Sequence, residues 1–84
     1  MNITLRFFAG LRERLGRSEE ALQLPPNLRT VGEVRGFLSA RGGVWGALGE
    51  DSSLRMACNQ VMCGADTPLT EACEVAFFPP VTGG

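Results

Sequence analysis

The sequence of 84 residues contains no lysine, no histidine and no tyrosine. Without histidine, the chain lacks the side chain that most often serves as general base and metal ligand. Without lysine, it can form no Schiff base and cannot accept an isopeptide bond on its own side chains. The three cysteines include no C-x-x-C pair, so we expect no metal site. These absences remove most side-chain chemistry from consideration.

Long apolar runs and charge blocks are also missing. No apolar stretch approaches the roughly 18 residues that a membrane span needs, and the alternating first residues do not resemble a signal peptide. We therefore expect a cytoplasmic protein with no membrane partner. Eight arginines and nine acidic residues are interspersed and give a net charge of −1, which disfavours nucleic-acid binding.

The cysteines are best explained as reduced structural residues. Their number is odd, and a cytoplasmic compartment keeps thiols reduced. Cys58 and Cys73 share the alternation phase of neighbouring apolar residues, which predicts small core side chains. Cys63 lies beside a predicted turn, and a reactive thiol remains the alternative at that position.

Alternating and helical patterns in the first half predict strand, short helix, strand and main helix. The strands are expected over residues 2–8 and 20–25, with the short helix over 10–16. Thr30 and Glu33 form a capping-box pattern at the start of the main helix. Its apolar face and its end are then predicted from the residues Val31, Val34, Phe37, Leu38 and Ala40, followed by Arg41 in the last turn and Gly42-Gly43 as the stop.

The second half is expected to add three strands, over residues 54–59, 61–63 and 73–78. Before them, residues 44–49 could form one more helical turn, with Trp45 and Leu48 at the core edge. One amphipathic helix can cover only one face of a sheet. We therefore predict a single α+β domain over residues 1–84, with a mixed sheet whose first and last strands pair centrally. This is the β-grasp arrangement of ubiquitin-like proteins.

Two Phe-Phe pairs mark the ends of the first and last predicted strands. Successive side chains of a strand point to opposite faces, so Phe7 and Phe77 are expected in the core. Phe8 and Phe78 then lie on the face away from the main helix, and Met62 is expected beside them. Such a patch is typical of a binding surface. The alternative is that the short helix or Trp45 covers both rings.

The residues after Phe78 have the character of a thin projecting tail. Pro79-Pro80 favours extended backbone, and Gly83-Gly84 lets the chain enter a narrow pocket. The α-carboxylate of Gly84 is ionised at neutral pH and is a poor electrophile until it is activated. Because this chain has no group that could activate it, the tail of residues 78–84 predicts a separate activating enzyme.

These residues carry a family resemblance. The segment Asp66-Thr67-Pro68-Leu69-Thr70 and the run from Glu74 to Gly84 resemble the C-terminal signature of the small, sulfur-carrying subunit of molybdopterin synthase. Phe7-Phe8-Ala9, followed by Arg12-Glu13, resembles the end of that family's first strand and its short helix. The likeness covers the whole chain in length and element order.

The resemblance implies a role for the chain as a sulfur donor that is not an enzyme alone. An adenylating enzyme would consume ATP to activate Gly84, and a sulfurtransferase would supply sulfur for a terminal thiocarboxylate. The large synthase subunit would then receive the tail, and the sulfur would pass to cyclic pyranopterin monophosphate. The family assembles as a heterotetramer, and no cofactor would stay bound to this chain.

The resemblance also implies which residues face the partners. Gly84 is the reacting residue, together with Gly83. The residues expected at the partner interface lie on the sheet, the short helix and the tail: Phe8, Arg12, Met62, Phe78, Pro79, Pro80, Val81 and Thr82. The family often has Gly-Asp before the last strand and Asn-Gly after the third strand. Here Ala72-Cys73 and Asn59-Gln60 stand at those positions, so both turns are expected to differ locally.

Other functions remain open at this point. A related sulfur carrier for thiamine or for tRNA thiolation would share the fold and the terminal glycines. A ubiquitin-like protein modifier would instead attach Gly84 to a target lysine, and a plain interaction module would use no covalent chemistry. A β-grasp ferredoxin is excluded, because its iron–sulfur cluster needs four cysteines and the sequence has three.

Overall fold

Strands and helices follow one another in the predicted order. The computed structural model describes residues 1–50 and 53–80, so the predicted tail residues Val81, Thr82, Gly83 and Gly84 lie outside the described residues. The strands are β1 (Asn2–Phe7), β2 (Glu19–Gln23), β3 (Arg55–Cys58), β4 (Val61–Cys63) and β5 (Glu74–Phe78). The helices are α1 (Ala9–Leu15), α2 (Val31–Ser39) and α3 (Ala47–Glu50), and a 3₁₀ turn (Gly43–Gly46) precedes α3.

The strands form one mixed sheet in the order β2-β1-β5-β3-β4. The first and last strands, β1 and β5, are parallel neighbours, with Leu5 opposite Val75 and Phe7 opposite Phe77. The remaining pairs are antiparallel. Because both central strands are apolar on one side, pairing them concentrates hydrophobic burial at the middle of the sheet. This confirms the predicted β-grasp arrangement.

The main helix α2 begins with the predicted capping box. The Thr30 hydroxyl accepts a hydrogen bond from the Glu33 amide at 3.2 Å, and the Glu33 carboxylate accepts one from the Thr30 amide at 3.1 Å. Each side chain thus satisfies a backbone group that the helix leaves free. The apolar face of α2 buries Val31, Val34 and Leu38 against the sheet.

The end of α2 differs from the prediction. The helix ends at Ser39, and Ala40 is its exposed C-cap, so Ala40 does not belong to the apolar face. Arg41 lies beyond the helix and not in its last turn. Its guanidinium instead pairs with Glu20 at 2.6 Å and stacks on Trp45 at 4.4 Å. This long-range contact replaces the expected local one with the helix end.

The core lies between α2 and the sheet and is closed at one end by the short helices. Phe7 and Phe77 stack at 6.2 Å between ring centroids, and both are almost fully buried. Trp45 packs edge-on against Phe7 at 5.7 Å, and Leu48 is completely buried. Trp45 thus lies at the core edge as predicted, whereas Leu48 belongs to the core itself.

Four described residues other than glycine have φ values in the left-handed region: Ala9, at the start of α1, and three residues in two turns. Asn59 and Gln60 have φ values of 50° and 68° and form the two-residue connection of the β3–β4 hairpin, a type I′ pattern. Ala72 has a φ of 65° in the turn before β5. These are the turns at which the sequence departs from the family pattern.

Candidate functional site: the base of the C-terminal tail

The described base of the tail, Phe78 to Pro80, continues the central strand of the sheet. β5 is flanked by β1 and β3, and the Phe8 amide donates to the Phe77 carbonyl at 3.3 Å. After Phe78, Pro79 and Pro80 end the strand, because proline has no amide hydrogen for the ladder. Both prolines are half-buried. The predicted tail therefore begins on one of the best-anchored strands of the fold.

The two Phe-Phe pairs divide between the two faces of the sheet as predicted. Phe7 and Phe77 face α2, whereas Phe8 and Phe78 lie on the opposite side, here called the open face. Their rings meet edge to face, with centroids 6.4 Å apart, and Phe8 is 40% exposed. Trp45 contacts Phe7 and not this pair. The alternative in which Trp45 covers both rings is therefore wrong.

Met62 lies on the same open face. It pairs in register with Ala57, which pairs in turn with Ala76, and paired residues of neighbouring strands point to one side. Met62 is 56% exposed, whereas both alanines are buried. Ala57 and Ala76 thus form a shallow apolar surface on the open face. Met62 borders this surface on the edge strand, and Phe78 borders it two residues further along β5.

Arg12 is held close to Phe8 by the first turn of α1. Its amide donates to the Phe8 carbonyl at 3.4 Å, and its side chain is exposed. Leu11 and Leu15, on the other side of α1, are buried in the core. The structure thus brings Phe8, Arg12, Phe78 and Pro79 to one end of the sheet. Whether partners contact them stays a prediction.

A groove that the sequence did not indicate lies on the α2 side of the tail base. It has a volume of about 370 Å³. Its lining comes from α1, α3, the residue before β3 and the tail: Gly10, Leu11, Glu13, Arg14, Ala47, Leu54 and Pro79. These residues are far apart in the chain, so no sequence pattern could have identified the groove.

The cysteines fit the structural interpretation. All three are free thiols, Cys73 is buried, and Cys58 and Cys63 are half-buried against the core. Burial raises the pKa of the Cys58 thiol, and the neighbouring Cys73 raises it further, so Cys58 is a poor nucleophile at neutral pH. Within residues 1–50 and 53–80, no three potential ligands cluster as a metal site would require. No helix of these residues is long and apolar enough to cross a bilayer.

Comparison with known proteins identifies the family. The model of the ThiS family matches residues 5–84, from β1 through to Gly84. The chain belongs to the ThiS family. Among curated members, the molybdopterin synthase sulfur carrier subunits of Escherichia coli and Haemophilus influenzae are 42% and 37% identical to it. Each alignment covers 98% of this chain and 99% of the relative.

Other proteins that are similar to this chain carry different names. Small archaeal modifier protein 3 of Haloferax volcanii is 33% identical, and the alignment covers 100% of both chains. Among solved structures, SAMP1 from Haloferax volcanii has a TM-score of 0.78 at 22% identity, with 100% of both chains covered. A chain of the complex of subunits 1 and 2 of molybdopterin-converting factor from Helicobacter pylori has a TM-score of 0.69 at 24% identity, also with full coverage.

These matches confirm the predicted fold and the predicted kind of protein. The solved structures establish the fold alone, since their identity is below 25%. The curated relatives at 42% and 37% identity are named as sulfur carrier subunits of a synthase. These two relatives confirm the prediction of a molybdopterin synthase small subunit, which is a carrier and not an enzyme alone.

Proposed function

We propose that the chain carries sulfur on its C-terminal glycine for molybdopterin synthase. The observation that carries the proposal is the sequence match, which runs over 98% of this chain at 42% identity to a molybdopterin synthase sulfur carrier subunit. The ThiS family match also extends to Gly84 itself. The open face and the position of Pro79-Pro80 at the sheet centre support it.

The chemistry takes place at the α-carboxylate of Gly84, with Gly83 beside it. The carboxylate attacks the α-phosphate of ATP, and pyrophosphate leaves, which yields an acyl adenylate. A sulfur nucleophile delivered by a sulfurtransferase then attacks the carbonyl carbon, and AMP leaves. When the nucleophile is a persulfide of the sulfurtransferase, the product is an acyl disulfide. A second thiol then attacks the donor's sulfur, so the S–S bond to the acyl group breaks, the thiocarboxylate leaves, and the donor sulfur ends in a new disulfide with that thiol. This chain supplies only the acyl group, so ATP is consumed on the adenylating enzyme, and the carrier holds no permanent cofactor.

Delivery requires the large synthase subunit. The tail sequence from Pro79 to Thr82 enters a pocket of that subunit, and the open face around Phe8 and Phe78 docks beside the pocket entrance. The sulfur then passes to cyclic pyranopterin monophosphate in a heterotetramer of two small and two large subunits. A similar chain from Helicobacter pylori was solved in a complex of subunits 1 and 2 of molybdopterin-converting factor, which supports this partner. We place this process in the cytoplasm.

The decisive experiment is an intact-mass measurement after incubation with ATP, the adenylating enzyme and a sulfur donor. We expect one oxygen atom of the chain to be replaced by sulfur. A variant without Gly84 should show no change, whereas Gly36→Ala, a control on α2, should label normally, because an added Cβ there meets no atom within 4 Å. Sulfur incorporation into the Gly84 deletion would contradict the assignment.

A second candidate function follows from one of the relatives. Because small archaeal modifier protein 3 is 33% identical over the full chain, Gly84 could be attached to lysines of other proteins. The chain has no lysine and cannot form chains on itself. Covalent high-mass adducts that require Gly84 would support this function. Production of molybdopterin from cyclic pyranopterin monophosphate by the loaded chain with the large subunit alone would support the first.

A further inference from the structure

Two arginines of the open face lie beside the Phe8–Phe78 pair, and a third follows Phe8 on α1. Arg6 precedes Phe8 by two residues on the same side of β1. Arg55 lies directly opposite Phe78 in the β3–β5 register, and Arg12 lies one helical turn after Phe8. The apolar pair is thus bordered by positive charge from two strands and a helix. Sequence reasoning had assigned Arg6 and Arg55 no role.

The charge of Arg6 is only partly compensated. Its guanidinium contacts Glu74 at 3.5 Å, longer than an ordinary charged hydrogen bond, and its Nε is buried without an acceptor. The same guanidinium lies 5.6 Å from the centroid of the Phe8 ring. Stacking holds the planar group in place, while 38% of the side chain stays exposed. An acceptor on another molecule could reach the terminal nitrogens.

Arg12 and Arg55 form no ion pair with any acid of residues 1–50 and 53–80. The contrast with Arg17 and Arg41 is clear, since both contact the Glu20 carboxylate, at 2.7 Å and 2.6 Å. Glu19 lies opposite Arg6 in the β1–β2 register without forming an ion pair with it. The two arginines that share Glu20 thus lie near Trp45, whereas the arginines beside the Phe8–Phe78 pair have a weak ionic partner or none among the described residues.

The geometry points to Arg6 and Arg55, together with Arg12, as a cationic rim that selects a large-subunit surface carrying carboxylates around an apolar pocket. This inference rests on the proposed function. The occupant is argued from charge: an apolar centre with an arginine rim is complementary to an apolar pocket with an acidic rim. Rim charges act mainly on the rate of encounter and on the choice of partner, so Arg6 and Arg55 determine specificity without taking part in the chemistry.

The test measures association of the carrier with the large subunit encoded in the same genome. Arg6→Gln and Arg55→Gln are compared with Arg29→Gln, which removes the same charge outside the open face. At about 50 mM salt, each rim variant should associate roughly 3- to 10-fold more slowly than the wild type, while Arg29→Gln matches the wild type. At about 500 mM salt, where screening is strong, the difference should shrink to less than about twofold.

Two further measurements make the result decisive. The double variant Arg6→Glu/Arg55→Glu should associate at least about 30-fold more slowly at low salt, because repulsion replaces attraction. Thermal melting checks that each variant is folded. The proposal of a cationic rim would be overturned if Arg6→Gln, Arg55→Gln and the wild type associated at equal rates at low salt. It would also be overturned if Arg29→Gln slowed association as much as the rim variants do. Either result would leave the proposed function intact. A wild-type chain that acquires sulfur but does not bind the large subunit would overturn both.

Discussion

Ala72 adopts a backbone conformation that side chains with a Cβ rarely take. Its φ is 65°, and the turn is closed by a hydrogen bond from the Cys73 amide to the Thr70 carbonyl at 3.1 Å. The Ala72 amide also donates to the Asn2 carbonyl at 2.7 Å, which ties the turn to the start of β1. Glycine would adopt this conformation without the clash that Cβ creates.

We therefore expect Ala72→Gly to raise the free energy of unfolding by about 1 kcal/mol. In a domain of this size, the melting temperature should rise by roughly 4–8 °C, measured by circular dichroism. The matched control is Ala40→Gly, because Ala40 is an exposed C-cap with a φ of −69° and gains nothing from left-handed freedom. If both variants lose stability equally, Ala72 is not strained.

At the scale of elements, β5 serves two purposes with two adjacent residues. Phe77 is completely buried between the sheet and α2, and Phe78 faces the open side against Phe8. The strand alternation alone assigns one ring to stability and the other to the surface. Neighbouring substitutions in β5 should therefore affect different properties.

Phe77→Ala should lower the free energy of unfolding by about 3–5 kcal/mol, as expected for a deleted core ring. Phe78→Ala should leave most of the stability and weaken binding to the large subunit by about tenfold or more, since buried interface aromatics dominate binding energy. Urea unfolding and calorimetric titration measure the two effects. Unfolding by Phe78→Ala would place that ring in the core and contradict the assignment of faces.

A second contact between elements links β2 to the segment after α2. The Glu20 carboxylate accepts hydrogen bonds from Arg41 at 2.6 Å and 3.0 Å and from Arg17 at 2.7 Å, and both arginines stack on Trp45. The hydrogen bonds from Arg41 are the main cause of a Glu20 pKa below its usual 4.5. Because the folded pKa is depressed, the stabilisation is present above the unfolded value and is lost as the pH falls through the folded value.

Glu20→Gln should therefore destabilise the protein by about 1 kcal/mol near pH 7, since partial exposure screens the pair. The difference from the wild type should disappear at a pH below the folded pKa of Glu20, where the wild-type carboxyl is protonated as well. Urea unfolding across this range gives the comparison. Glu13→Gln, at an exposed residue of α1, is the control, and a constant difference at all pH values would exclude the ionic explanation.

For the whole molecule, the sheet joins the two ends of the sequence. β1 and β5 pair in parallel over residues 4–7 and 74–77, and their side chains supply much of the buried core. β4, in contrast, is an edge strand of three residues with Val61 67% exposed. The centre and this edge should thus open with different free energies.

Hydrogen exchange should show this difference. We expect amides of β1 and β5 to exchange only through global unfolding, with protection equal to the free energy from urea denaturation. Hydrogen-bonded amides of β4 should exchange through smaller local openings. If β4 and β5 had equal protection, the sheet would open as one unit and this description would be wrong.

Local patterns were sufficient for much of this architecture. The Thr30–Glu33 capping box and the alternation through Phe77-Phe78 act over a few residues, so the sequence predicted α2 and both faces of β5. It did not predict the contact of Arg41 with Glu20, because the two residues are far apart in sequence and Arg41 could equally have capped the helix. The same holds for Arg6 and Arg55, since an arginine in a strand is typical of any solvated face.

The parallel pairing of β1 with β5 has a mechanical consequence. A force applied to the protein through Pro79 acts along β5. The hydrogen bonds of β5 to β1 and β3 oppose its sliding between them, so several of these bonds share the load at once. In a peeling arrangement, these bonds would instead fail one after another. A partner enzyme that pulls on the C-terminal tail as it dissociates should therefore separate from the carrier before the sheet unfolds.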